Sequence, residues 1–186
     1  MNLMKRSALT PFMLAFAFTL ACNSYEIDKA NKLVDATNVL IETANKNADE
    51  AGTKLGDMNS KVGAVEEEDQ LEALRAQAKE IIPLMEKARD GYKDAAAKFD
   101  EASKLKLPEK YKEYLSAKAQ ELKKRADSTD AAIGQPKAMQ EIKSPEEYQP
   151  KAQAVVDKMQ AASKEADDFK AKAEKIYQEN KALFKE

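Results

Sequence analysis

From Ile27 to the end of the chain, apolar residues return at alternating spacings of three and four, and this feature restricts the fold more than any other. The first run reads Ile27, Ala30, Val34, Thr37, Ile41, Ala44, Ala48, Ala51, Leu55, Met58, Val62, Val65. A strand would scatter these residues over both faces, whereas a helix gathers them on one. Leu33, Val39 and Leu40 widen the stripe beyond a two-stranded seam, which predicts contact with more than one neighbour. A second run passes through Leu71, Leu74, Ala78, Ile81, Met85, Ala88, Tyr92, Ala95 and Phe99. A third follows Tyr111, Leu115, Ala119, Leu122 and Ala126, and a fourth Ala152, Val155, Met159, Ala162, Ala166, Phe169, Ala173 and Ile176. With five Gly, six Pro and 34% charged residues in 186, turn punctuation is too sparse for a strand-rich fold. The expectation is an all-α protein: an antiparallel up-down four-helix bundle, a coiled-coil-like rod, with helices near 25–62, 69–104, 108–133 and 145–185.

The connections are marked by local chemistry. Gly52, Gly56 and Gly63 weaken the end of the first helix, and Glu66, Glu67, Glu68 and Asp69 place negative charge at the start of the second. Pro83 falls inside the second run without shifting its register, which predicts a kink rather than a break. Leu107-Pro108-Glu109 restarts the chain with proline in a first turn. Gly134-Gln135-Pro136 is expected to stop the third helix, with 137–143 adding one or two turns. Ser144-Pro145-Glu146-Glu147 has capping-box spacing, and Pro150 marks where the last regular helix begins. Acids precede bases by four residues at Glu42/Lys46, Asp57/Lys61, Glu121/Arg125 and elsewhere, the pattern of a solvated outer face.

The first two dozen residues read as an address. Lys5 and Arg6 precede an apolar stretch from Phe12 to Ala21, whose length of about 15 Å as a helix is half of a hydrocarbon core. A charged start, a short apolar segment and small residues before a break are the pattern of a secretory signal. Thr19-Leu20-Ala21-Cys22 closes that stretch and resembles the lipobox of bacterial lipoproteins, with Thr19 where Leu is usual. The resemblance covers residues 1–22. It implies that residues 1–21 are a cleaved signal peptide, that the Cys22 sulfur carries a diacylglyceryl group, and that 22–186 form one domain held to a membrane by lipid. Cys22 is the only cysteine, so an exported chain of this kind has no internal disulfide partner. Asn23 follows it, where an Asp in enteric bacteria resembles an inner-membrane retention signal, so the outer membrane is expected.

The chain contains no histidine, which removes the commonest general base and metal ligand and every Ser-His or Cys-His nucleophile. No Gly-rich phosphate loop, Gly-x-Ser-x-Gly or metal-spaced cysteine cluster is present. No catalytic residue, metal ligand or cofactor is therefore expected. Basic residues number 31 against 33 acidic and are dispersed, which disfavours nucleic acid as a partner. The up-down topology puts the 103–108 loop and the C-terminus at the anchored end, with Tyr92, Phe99, Tyr111, Tyr114, Tyr177 and Phe184 clustered in that half. Glu66, Glu67, Glu68 and Asp69 then form a candidate interaction tip at the far end, with Glu146 and Glu147 beside it. The expected function is a non-enzymatic, lipid-anchored structural or protein-interaction module. The alternative is a binding module that holds an apolar or amphipathic ligand between its helices.

Overall fold

The structure, a computed structural model, describes residues 12–184, with side chains from Tyr25 onward. Five α-helices follow one another: α1 (Phe12–Val62), α2 (Glu68–Ser103), α3 (Glu109–Ala132), α4 (Gly134–Glu141) and α5 (Tyr148–Glu179). Short 3-10 turns at Pro145–Glu147 and Lys181–Phe184 flank α5, and no strand occurs among the described residues. The all-α bundle expected from the heptad spacing is what forms. Its 36-residue second helix is about 54 Å long.

The four long helices alternate in direction. Lys54 on α1 meets Glu80 on α2 while Asn45 meets Tyr92, so these two run antiparallel. Asp130 pairs with Arg89 and Lys123 with Asp100 in the same reversed order between α3 and α2. Lys124 meets Glu165 and Tyr114 meets Tyr177 between α3 and α5. Extensive packing joins α1 to α2, α2 to α3 and α3 to α5; among the described residues, α1 and α5 share no comparable interface. The bundle is thus open along one edge. Tyr148 and Asn59 bridge the two helices near one end of that edge.

The predicted seams are the buried faces. Ala30, Thr37, Ala44, Ala51, Leu55, Met58 and Val62 are buried on α1, and α2 buries its run from Leu71 to Ala102. They form two core clusters. One joins the end of α1 to the first half of α2, α4 and the start of α5. The other joins the earlier part of α1 to the second half of α2 and α3. Val39, expected to widen the α1 stripe, is instead 63% exposed: it stands two residues, about 200° of helical turn, from the buried Thr37 and so falls on the outward face of α1.

Three boundaries differ from expectation for identifiable reasons. Gly134-Gln135-Pro136 does not stop the helical path: Ile133 keeps right-handed helical angles and the three residues become the first turn of α4. Pro136 is tolerated there because a first-turn N–H has no partner within its helix. The last helix does not run as one piece over 145–185. Pro150 occupies the third position of α5, again inside a first turn, and Asn180 ends the helix by donating from Nδ2 to the Ile176 carbonyl at 2.8 Å. Pro83, by contrast, does not break α2, as its unshifted register predicted: it lies on an exposed face of an uninterrupted helix.

Two glycines permit close approaches. A Cβ at Gly91 would lie 3.0 Å from Ala44 Cβ, and one at Gly134 would lie 2.7 Å from Val155 Cγ2. The first position lets α2 pack tightly on α1, and the second lets α4 pack on α5. Gly52 and Gly56 face open space.

Candidate functional site

Cys22, the expected lipidation residue, has no described side chain; residues 1–11 of the expected signal lie outside the described residues altogether. What the fold supplies is its setting. The helix that contains position 22 continues without interruption into the bundle, and Ala30 is the first fully buried residue, about 12 Å farther along. No helix among the described residues is long and apolar enough to cross a membrane.

The candidate acidic tip, Glu66 to Asp69, is exposed at the α1–α2 turn. Its four acids do not converge. Gln70 Oε1 accepts from the backbone N–H groups of Glu66 and Glu67 at 2.8 and 3.3 Å, so local chemistry organises this turn as a helix start. Glu68 turns back to Arg75 at 3.0 Å. Arg75 also pairs with Glu72 and donates to the Ile142 carbonyl at 2.6 Å, fastening the α4–α5 connection to α2. These acids, with Glu72 foremost, hold the Arg75 guanidinium more firmly protonated than usual. The tip and the 142–147 segment therefore share one end, as the topology predicted. No group of three or more His, Cys, Asp or Glu able to hold a metal occurs among the described residues.

At that same end Glu147 Oε2 accepts from the Lys143 N–H at 3.2 Å, one residue earlier than the expected capping box required. The Ser144 hydroxyl serves Glu146 instead and draws its carboxyl below the ordinary range. An open cleft of about 300 Å³ lies beside the turn, lined by Lys61, Ala64, Val65, Gln70, Ala73 and Leu74.

Four of the six aromatics expected to cluster do so at the opposite end. Phe184 packs between three tyrosines, with ring centroids 4.9 Å from Tyr111, 4.9 Å from Tyr114 and 5.1 Å from Tyr177. Tyr92 and Phe99 lie in the same half, within the α1–α2–α3 core that also holds Tyr111 and against which Tyr114 and Phe184 pack. The cluster closes one side of an open cleft of about 430 Å³ whose other side is Asn31, Val34 and Asp35 of α1. Burial raises the Tyr111 phenol, and Asp35 raises it further. Burial foremost, helped by Glu121 and Glu174, pushes Tyr114 up to about 12. Tyr177 remains 37% exposed at the rim.

One functional-looking group escaped the sequence reading. Glu121, expected on the solvated face, is 3% exposed and accepts from Lys118 Nζ at 2.6 Å and Arg125 Nε at 3.0 Å. Its acid–base spacing was visible, but spacing alone does not reveal that α5 covers this part of α3. No family model, curated protein or solved structure matches this chain.

Proposed function

We propose that this chain is a bacterial envelope lipoprotein, tethered through acyl chains on Cys22 and acting without catalysis as a structural or protein-interaction rod. The observation that carries the reading is the position of the single cysteine, directly after Leu20-Ala21 at the end of a short apolar segment behind Lys5 and Arg6. One acyl chain gives only marginal membrane binding, whereas the two of a diacylglyceryl group together with a third give a stable anchor. Asn23 favours the outer membrane.

The proposal gives the helical bundle a direction. With no loop between position 22 and the first buried layer, the core begins close to the membrane, while the α1–α2 turn is carried about 60 Å away along α1. Glu66, Glu67, Glu68 and Asp69 then sit where a partner in the envelope would meet the rod.

Radiolabelled palmitate tests the anchor. Label in the wild type that disappears in Cys22→Ser, with precursor accumulating under globomycin, is the expected result; label independent of Cys22, or none, would overturn it. Photocrosslinkers at positions 66 and 141 test the interaction role, for which discrete protein adducts are expected and their absence would remove that part. A second reading, an apolar or amphipathic ligand held between the helices, draws on the open α1–α5 edge. Organic extraction and mass spectrometry of purified protein would detect such a ligand in stoichiometric amount.

A further inference from the structure

We propose that the cleft between α1 and the aromatic cluster binds an organic cation of the quaternary ammonium class, with Asp35 as counter-charge and the tyrosines as its aromatic wall. The cleft, about 430 Å³, is of a size that small-ligand sites use. Its wall contains four aromatic rings and a single charged residue, Asp35. Aromatic faces are negative regions of a quadrupole, and an alkylated ammonium has an apolar skin over a positive charge, so the two are complementary where a metal ion or an anion would not be.

Three further features support the assignment. The one charged group of the wall is acidic and acts on a tyrosine of the cluster: Asp35 on Tyr111. It favours a cation over an anion in the cleft. Tyr111 is fixed by donating to Asn31 Oδ1 at 2.6 Å, and Phe184 holds the ring spacing from the centre of the cluster, so the wall is organised before a ligand arrives. Tyr177 at the rim leaves the cleft accessible.

The same chemistry is offered by a lipid headgroup and by a free small solute. On the proposed anchor, Asn31 would stand about 14 Å from Cys22 along α1, near enough to the surface for the former. The cation site does not depend on that anchor, because it is built wholly from described residues.

The test uses the full chain carrying Cys22→Ser, purified in detergent, so that it is read without any lipid on the cysteine. Choline chloride is titrated by calorimetry and by NMR of the tyrosine rings, beside 3,3-dimethyl-1-butanol, its uncharged isostere. Saturable choline binding is expected, at least tenfold tighter than the isostere, with perturbed Tyr114 and Tyr177 resonances. Asp35→Asn, at an exposed position, is expected to weaken choline about fivefold or more, and Tyr177→Ala to weaken it as well. Equal binding of the isostere, no saturation by choline, or unchanged affinity in both variants would overturn the proposal. Phosphatidylcholine and phosphatidylglycerol vesicles distinguish the sources. Recruitment to phosphatidylcholine that falls in Asp35→Asn identifies a headgroup, whereas choline binding without it identifies a free cation.

Discussion

Tyr111 on α3 donates to Asn31 Oδ1 on α1 at 2.6 Å, across 80 positions of sequence. The relationship recurs along the rod. Tyr92 on α2 donates to Asn45 at 2.7 Å, and Tyr148 on α5 donates to Asn59 at 2.5 Å. The three asparagines are evenly spaced by two heptads, so one edge of α1 receives a tyrosine hydroxyl from each of the other three long helices. Apolar seams built largely of alanine slide easily, and these directional bonds fix their register.

Removing one such hydroxyl tests this role. Tyr148→Phe keeps the buried ring but leaves Asn59 without its donor, and is expected to lower stability by about 1 kcal/mol. Tyr25→Phe, at a residue 69% exposed, is expected to change it by less than about 0.5 kcal/mol. Urea unfolding followed by circular dichroism measures both.

Burial also makes the bundle sensitive to alkali. Tyr114 and Tyr148 are each pushed up to about 12, above the unfolded value near 10. The folded state therefore holds these protons more tightly, and stability present below about pH 10 is lost as pH rises toward 12. Ultraviolet titration should show two phenols ionising near pH 12, with unfolding free energy falling over the same window. Replacing both by Phe is expected to remove two phenols from the late ionisation, leaving the raised Tyr92 and Tyr111.

The glycines separate into two classes. Gly52→Ala and Gly56→Ala, which meet open space, are each expected to stabilise α1 by roughly 0.5–1 kcal/mol. Gly134→Ala forces a Cβ against Val155, whose branched side chain has little freedom to turn aside, and is expected to cost about 1–3 kcal/mol. Thermal melts should show opposite shifts, and Val155→Ala should rescue Gly134→Ala.

Glu121 predicts a failure of additivity. Lys118→Ala or Arg125→Ala alone leaves the buried carboxylate one cationic partner, with a modest expected loss of about 1 kcal/mol. The double variant strands that carboxylate and is expected to cost about 3 kcal/mol or more. A double-mutant cycle in urea reads the excess directly.

The seams were legible in the sequence because helical burial imposes a period that single residues reveal: Ala30, Thr37, Ala44, Leu71, Tyr92 and Leu122 are all where the spacing put them. Which helices touch was less legible. Leu40 does border a neighbouring helix, its carbonyl lying beside Gly91 of α2, whereas Val39, about 200° of helical turn from the buried Thr37, points outward and meets solvent. The asparagine spacing on α1 was available to the eye, yet its meaning depended on tyrosines from three other elements. Arg75 shows the same gap: its partner is the carbonyl of Ile142, a group every residue possesses. Phe184 and the tyrosines were foreseen as a cluster, while the cleft they share with Asp35 required the packing of α1 against them.

The account of function rests on the mature amino terminus, and intact-mass analysis of the protein extracted from its native membranes reads that terminus directly. A polypeptide that begins at Cys22 and carries the added mass of a diacylglyceryl group is the predicted result. A chain that retains residues before Cys22, or begins there with a free thiol, would contradict it.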